Sequence, residues 1–469
     1  MNYSSGSGVV LEAPVLPNSE EELAGPPRAA VPTKRGERIS SLDVLRGFSL
    51  LGILVVNIES FGGPESLHDI PVGTAKAAFL GPHAHLNLVI LFLKWIFIES
   101  KMRGLFAMLF GAGAVLLTNR IERRSSADNA ADIFLRRNMW LVALGFLHGA
   151  FLWTGDILFV YGFNALFFLY PCRKLKAKTL FIAGTIIWIG LATPGYLRVM
   201  GAFDNIKLAR QMSAISAGQA TGKALTPEEK KIQQQWDKTV AQNAAPSPKD
   251  VDADVVEGRQ GYWGFLQNKG AKYLEHKGQY ESGFGFTETL GPMLIGMALF
   301  KCGFLTAELP LSIYLWTAIA GFLISTPLYI IGLWKAYLSN FYFLVLDKWV
   351  YSTYYITGEA GAIAIAAALL FIIKSGIARP LLRPFAAVGQ TALSNYLLTS
   401  FLCQMVFVFG PWKLYGQLEY YQLLYVVFGV WIVNLVVSPL WLSAFEFGPC
   451  EWLWRSLTYW KPQRMRLRS

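Results

Sequence analysis

The stretch GFLHGAFLWTGDILFVYG, residues 145–162, reads as two apolar half-spans that meet at Gly155. Apolar runs of this kind are typical of helices that lie in a bilayer. The stretch also carries His148 and Asp156, although polar and ionisable side chains are costly inside a membrane. It therefore predicts a helical hairpin in a membrane, with an imidazole and a carboxylate whose presence needs a structural or functional reason.

The composition extends this interpretation to the whole chain. Of 469 residues, 54% are hydrophobic, 14% are aromatic and only 16% are charged. One soluble core cannot bury that much apolar surface. The sequence predicts an all-α, polytopic membrane helix bundle whose main partner is the lipid bilayer.

Apolar runs close to the roughly 20 residues that a bilayer requires predict about ten transmembrane helices. They lie near residues 43–60, 102–118, 138–154, 156–171, 179–197, 286–302, 311–333, 359–374, 391–411 and 422–445. The run 84–100 is amphipathic and interrupted, so an interfacial or re-entrant segment is expected there. Whether this run spans the membrane stays open.

Lysine and arginine are concentrated in one set of short loops, which orients the bundle. These loops hold Arg120, Arg123, Arg124, Arg136, Arg137, Arg173, Lys174, Lys176, Lys178, Lys374, Arg379 and Arg383. The bias predicts that both termini lie in the cytoplasm. The net charge of +11 is then a topology signal, and no nucleic-acid partner is expected.

The predicted organisation has five parts. They are a disordered cytoplasmic tail (1–37), N-terminal membrane helices (38–197), an extracytoplasmic loop insertion (198–285), C-terminal membrane helices (286–445), and a cytoplasmic interfacial helix with a basic tail (446–469). Within the insertion, Thr226-Pro227-Glu228-Glu229 is a helix start signal.

Six polar side chains lie on the predicted outer side and could converge on one outward-facing cavity. They are Asn57, Glu59, Arg103, His148, Asp156 and Glu288. An ionisable residue at such a depth indicates a functional site by default. The structural alternatives are that His148 only hydrogen-bonds a neighbouring helix and that Asp156 only caps the next helix.

The predicted inner side carries a different set of polar residues. Asp43 and Arg46 are three residues apart on one helix face, which favours an ion pair or an interfacial anchor. Asn395 lies in a polar stripe that should face the bundle interior, either as a substrate contact or as a structural contact between helices. The four cysteines show no metal-ligand spacing, and no nucleotide-binding loop or haem motif appears, so neither a metal nor a tightly bound cofactor is expected.

Several ordered segments resemble the YeiB-like bacterial membrane proteins, known as domain of unknown function 418, which implies a location in the bacterial inner membrane. They are RISSLDVLRGFSLLGILVVNI (38–58), RGLFAMLFGAGAVLL (103–117), RRNMWLVALGFLHGAFLWTGDILFVYG (136–162), FTETLGPMLIGMALFKCGFL (286–305), GQTALSNYLLTS (389–400) and FEFGPCEWLWRSLTYWK (445–461). The motif LDVLRG (42–47) is also similar to the start of heparan-alpha-glucosaminide N-acetyltransferase and other transmembrane acyltransferases. That resemblance implies a cytoplasmic acyl-CoA donor and a sugar acceptor across the membrane.

The histidine held responsible in that enzyme follows its first span. Here His68, His83 and His85 occupy the corresponding region without a motif match, so His148 is the preferred candidate.

Two functions follow as hypotheses. In acyl transfer, His148 is the base or the acyl carrier and Asp156 or Glu59 orients it. The predicted substrate contacts are Asn57, Arg103, Glu288 and Asn395, and the predicted contacts to the coenzyme A phosphates are Arg46, Arg136 and Arg137. The alternative is a proton-coupled transporter of a small solute, or a membrane protein without catalysis. The acceptor, the acyl group and the oligomeric state stay open.

Overall fold

The computed structural model describes residues 40–64, 81–191, 193–222, 224–244, 246–273, 275 and 285–467. Nearly all of these residues are helical, and none of them forms a named strand. The predicted all-α class is therefore confirmed. The predicted disordered tail, residues 1–37, lies outside the described residues.

Six helices form the first part of the chain. They are α1 (Ser40–Gly62), α2 (Ala84–Phe97), α3 (Lys101–Arg124), α4 (Ala127–Phe151), α5 (Leu158–Cys172) and α6 (Ala177–Thr185). A π-helical turn, Ala165–Leu169, interrupts α5, and another, Ile186–Leu191, continues α6. Such turns often mark functional positions.

The region predicted as a loop insertion is largely helical. It contains α7 (Thr193–Ala220), α8 (Pro227–Gln242), α9 (Pro248–Gly258) and α10 (Gly261–Phe265). The helix start predicted at Thr226 is confirmed, because Thr226 and Glu229 form a reciprocal capping box there.

The remainder of the chain adds eight described helices. They are α11 (Gly285–Lys301), α12 (Leu311–Leu338), α13 (Phe343–Trp349), α14 (Tyr354–Ser375), α15 (Arg379–Gln390), α16 (Ala392–Gln404), α17 (Tyr420–Ala444) and α18 (Pro449–Tyr459).

Six of the described stretches are long and apolar enough to cross a membrane, as expected of a multi-pass membrane protein. They are Ser40–Gly62, Ala84–Arg124, Leu311–Leu338, Phe343–Ser375, Ala392–Phe409 and Tyr420–Ala444. Two further apolar helices, Leu158–Cys172 and Ala177–Gly190, are shorter. The count of about ten spans stays a prediction.

The bundle carries apolar side chains on its outside as well as in its core. In α12 and α17 only 28% of the apolar window is buried, and large side chains such as Trp316, Leu323 and Ile432 are exposed. Polar side chains including Asn164, Asn434 and Thr357 are buried between helices instead. This distribution suits a bundle surrounded by lipid.

Polar contacts tie several helix termini together at one end of the bundle, called here the basic end. Ser41 Oγ donates to the Leu305 carbonyl at 3.0 Å, and Lys301 Nζ donates to the Leu175 carbonyl at 2.7 Å. The Trp454 indole of α18 donates to the Arg137 carbonyl at 2.8 Å. The arginine-rich loops are thereby gathered on one face.

The opposite end, called here the distal end, carries the insertion. The Gly416 amide donates to the Gly62 carbonyl at 2.7 Å, which joins the end of α1 to the turn before α17. Arg259, after α9, donates to the Tyr415 carbonyl at 2.8 Å, and Lys269 donates to the Tyr415 hydroxyl at 3.1 Å. Burial raises the pKa of Tyr415, while the nearby Lys269 ammonium opposes that shift.

The first helix crosses α15 with almost no space between the two backbones. A Cβ atom added at Gly47 would overlap the Phe385 carbonyl, and one added at Gly389 would overlap the Asp43 carbonyl. Glycine at both positions permits this approach. The crossing places Asp43 and Arg46 at the wall of a cavity at the basic end.

Candidate functional site

The structure brings His148 of α4 and Asp156 together as a buried pair. Their Nδ1 and Oδ1 atoms are 2.9 Å apart, and the two side chains are 1% and 0% exposed. Both residues lie around the hairpin between α4 and α5, so the pairing is local in sequence. The arrangement fixes the imidazole ring and favours the tautomer with hydrogen on Nδ1.

Asp156 also caps α5. Its second oxygen, Oδ2, accepts a hydrogen bond from the Phe159 amide at 2.8 Å. Asp156 therefore caps the helix with one oxygen and contacts His148 with the other, and its role in chemistry stays a prediction. Gly145 permits the contact, because a Cβ atom there would lie 2.6 Å from Oδ2 and would overlap the Phe159 amide nitrogen.

Aromatic side chains enclose the imidazole. The Tyr396 ring of α16 lies 5.0 Å from the His148 ring, and the Trp153 ring lies 6.3 Å away. The Tyr396 hydroxyl accepts from the Ile157 amide at 3.3 Å. His148 Nε2 is buried and has no hydrogen-bond partner among the described residues. Nε2 is thus a polar atom in an apolar enclosure with no hydrogen bond to another described residue.

A cavity of about 240 Å³ lies at the basic end, between helices from the N-terminal and the C-terminal membrane regions. Its apolar lining includes Phe106, Leu109 and Phe134, and two tyrosines, Tyr161 and Tyr396, also line it. Its charged lining consists of Arg46, Arg120, Arg137, Arg455, Asp43 and Glu451. Tyr396 both lines the cavity and packs on His148, so the cavity and the buried pair share this side chain as a neighbour.

Four guanidinium groups and two carboxylates give the cavity an excess of positive charge. Arg46 pairs with Asp43 at 3.1 Å, and the Arg137 guanidinium lies 3.5 Å from the centre of the Trp454 ring. Glu451 accepts from the Leu393 and Ser394 amides at 2.6 and 3.1 Å, so its charge stabilises the first turn of α16. The lining suits an amphipathic anion.

A second group of charged side chains lies at the distal end and is called here the distal network. Lys94 Nζ is 2.5 Å from Glu59 Oε1 and 3.7 Å from Glu99 Oε2. Arg103 lies 3.3 Å from Glu99 and donates to the Tyr354 hydroxyl at 2.6 Å. Lys94, Glu59 and Glu99 are all buried, whereas the Arg103 side chain is 46% exposed.

The other predicted site residues lie in separate places. Glu288 accepts from the Tyr355 hydroxyl at 2.5 Å, and Asn57 is half-buried on α1. Asn395 donates to the Ser438 hydroxyl at 2.8 Å and so joins α16 to α17. Arg136 pairs with Asp132 and is not among the residues that line the cavity. Arg46 and Arg137 do line it.

Sequence reasoning did not select Tyr396, Arg120, Arg455, Lys94 or Glu99 as site residues. The positions of Arg120 and Arg455 in the sequence are explained by membrane topology alone. Lys94 and Glu99 lie in the run 84–100, for which the sequence does not decide between a spanning and an interfacial segment. In the part of the chain that the structure describes, no group of three or more His, Cys, Asp or Glu residues is placed to hold a metal ion.

Comparisons with known proteins match nearly the whole chain. It is 30% identical over 441 residues to the uncharacterized protein YeiB of Escherichia coli, which covers 90% of this chain and 96% of that protein. The profile of the family described as "Protein of unknown function (DUF418)" matches residues 299–461. The chain belongs to the YeiB-like DUF418 family.

A second relative of this DUF418 protein is the uncharacterized protein YxaH of Bacillus subtilis. The two are 28% identical over 448 residues, which is 92% of this chain and 97% of that protein. No solved structure gives a significant match. The predicted family resemblance is confirmed, and the site residues have to be interpreted from their own geometry.

Proposed function

We propose that this DUF418 protein is a membrane acyltransferase, which moves an acyl group from a cytoplasmic acyl-CoA to an acceptor outside the cytoplasm. One observation carries the proposal. The arginine-lined cavity at the basic end reaches Tyr396, and the Tyr396 ring packs on the oriented His148–Asp156 pair. A site for an anion and a candidate general base are thus neighbours.

The basic end is assigned to the cytoplasm of a bacterium, since loops rich in lysine and arginine stay on that side of the inner membrane. Both termini would then be cytoplasmic. An acyl-CoA would enter the cavity from the compartment in which it is made, and the acceptor would approach His148 from the distal end.

The donor fits the cavity through its charge and its length. Its phosphates would contact Arg46, Arg120, Arg137 and Arg455, whose planar guanidinium groups can bind phosphate oxygens in pairs. Along α4, Arg137 and His148 are separated by a rise of about 16 Å. An extended pantetheine arm is of that order in length, so a thioester could approach His148 while the phosphates stay at the arginines.

The chemistry assigned to His148 is general base and then general acid catalysis. Its Nδ1–H donates to Asp156, and its Nε2 takes the proton of an acceptor hydroxyl as that oxygen attacks the thioester carbonyl carbon. The tetrahedral intermediate collapses with cleavage of the C–S bond. His148 then returns the proton to the thiolate, which leaves an acyl ester and free coenzyme A.

The test combines donor binding with turnover. Purified protein is incubated with radiolabelled acetyl-CoA, and both bound label and released coenzyme A are measured. His148→Ala should abolish release, whereas His85→Ala, at an exposed histidine, should not change it. Arg137→Gln should weaken binding about tenfold or more, because a charge-assisted contact is lost, and the adjacent Arg136→Gln should not.

Absence of both binding and turnover in the folded wild-type protein would contradict the acyltransferase proposal. A second candidate function, proton-coupled transport of a small solute, would then be favoured. The buried charges of Glu59, Lys94 and Glu99 support it, because ionisable groups inside a bundle often mark proton or solute pathways. Solute flux in liposomes that depends on a proton gradient would be its expected result.

A further inference from the structure

Glu359, on α14, is a buried carboxyl group for which the proposed acyl transfer has no role. It is 6% exposed and lies inside the apolar stretch Phe343–Ser375. Its Oε1 accepts a hydrogen bond from the Thr185 hydroxyl of α6 at 2.7 Å. Its Oε2 is buried and has no hydrogen-bond partner in the described part of the molecule.

The charged groups on the helices around Glu359 are bound elsewhere. Lys101 of α3 donates to the Trp95 and Glu99 carbonyls at 3.1 and 3.4 Å, and its ammonium lies over the Tyr329 ring of α12. Glu288 of α11 accepts from Tyr355. Across the described ranges, no lysine, arginine or histidine forms an ion pair with Glu359.

An indole ring packs against the helix that carries this carboxyl. Trp188 is 3% exposed and lies in the π-helical turn that directly follows Thr185. A Cβ atom added at Gly104 of α3 would lie 2.6 Å from the Trp188 ring, and one added at Gly358, beside Glu359, would lie 3.8 Å from it. Trp188 therefore packs against both α3 and α14 and helps to exclude water from Glu359.

A carboxylate in such a place would be a charge without a cation or a hydration shell, which is far more costly than a neutral acid with one unmade hydrogen bond. We propose that Glu359 is a proton-binding site that stays protonated at neutral pH and links α6 to α14 through Thr185. Loss of the proton would require water or a cation to enter this contact. The site thus couples proton occupancy to the packing of α6 on α14.

Infrared difference spectroscopy tests the proposal on the purified full-length protein in detergent. At pH 7 the wild-type spectrum minus the Glu359→Gln spectrum should contain a carboxylic-acid C=O stretch. Thr185→Val should shift that band to higher frequency, because the carbonyl loses its hydrogen bond.

Glu308→Gln is the matched control. Glu308 also accepts from a threonine, Thr306, at 2.8 Å, but it is exposed, so its difference spectrum at pH 7 should show only a carboxylate band.

A Glu359 difference spectrum that contains only carboxylate bands at pH 7 would overturn the proposal. If Glu359→Gln does not fold, the wild-type spectrum minus the Thr185→Val spectrum at pH 8 still decides the matter, because Thr185 donates to Glu359. A shifted carboxylic-acid band is expected at this pH, where exposed carboxyl groups are ionised, and its absence would be equally decisive. The result does not depend on acyl transfer, since the band is measured without acyl-CoA.

Discussion

At the scale of single residues, Asp156 shows how one carboxylate can cap a helix and hold a buried imidazole at the same time. Oδ2 caps α5 through the Phe159 amide, and Oδ1 holds His148 Nδ1. Capping alone needs only a short polar side chain, for which serine is nearly as good as aspartate. Holding the imidazole needs an acceptor that reaches across the hairpin. The two tasks can therefore be separated by substitution.

Asp156→Ser should keep the cap and lose the contact with His148. We expect a loss of coenzyme A release of about 100-fold or more, the usual scale of a general base contribution, and a loss of about 1–3 kcal/mol of stability, because the buried imidazole loses its acceptor. Asp156→Ala should lose the same activity and about 1 kcal/mol more stability than Asp156→Ser, because the cap is also absent. Thermal unfolding and coenzyme A release measure the two effects. Wild-type turnover in Asp156→Ser would assign Asp156 to capping alone.

The contact between His148 and Asp156 could be predicted from the sequence. The partners of the other polar residues on the predicted outer side could not. His148 and Asp156 are eight residues apart on either side of one turn, so the hairpin itself brings them together. Glu59 and Arg103 instead find charged partners in Lys94 and Glu99. Polarity in a span indicates that a partner exists, but tertiary packing decides which partner it is.

At the scale of elements, the position of α2 explains the amphipathic pattern of residues 84–100. The helix has only 14 residues, a length of about 21 Å, which is less than the roughly 30 Å of a bilayer core. Its polar residues Asn87 and Lys94 are buried against the bundle, and Val89 and Leu93 are exposed. Asn87 accepts from the Tyr421 amide at 2.9 Å. The amphipathic pattern thus reflects docking by polar contacts, with apolar residues outward.

Lys94→Met should strongly destabilise the protein. The substitution leaves the Glu59 and Glu99 carboxylates buried with one cation fewer, and breaking a buried pair typically costs about 3–5 kcal/mol. Lys348→Met, at an exposed lysine, is the control and should change stability by less than about 0.5 kcal/mol. Thermal unfolding in detergent is the measurement. Equal stability of the two variants would show that the Lys94 ion pairs contribute little to the fold.

At the scale of the whole molecule, composition and hydrophobic runs were sufficient for the helical class but not for the cavity. The cavity is lined by α1, α3, α4, α5, α15, α16 and α18, which are distant in the chain. Arginines such as Arg120 and Arg455 resemble any other residues of a cytoplasmic loop in the sequence. Only the packing of α18 and the close crossing of α1 and α15 place them around one space.

Orientation of the whole bundle can be measured with the native cysteines. Cys302 is exposed at the basic end, whereas Cys403 is buried in α16. Burial, together with the nearby Glu451 carboxylate, raises the pKa of Cys450 and so reduces its reactivity towards maleimide. A membrane-impermeant maleimide should therefore label Cys302 in inside-out vesicles and leave it unlabelled in intact cells.

A cysteine placed at the distal end completes the topology test, because it should be labelled from outside the cell. Lys249→Cys, on α9 of the insertion, in a background with Cys302→Ser, should be labelled in intact cells, because the insertion lies at the distal end. This outcome would place the arginine-lined cavity on the side where acyl-CoA is made and the distal network on the side of the acceptor. Labelling of Cys302 from outside would show that the bundle has the opposite orientation. A cytoplasmic donor would then have no route to the cavity.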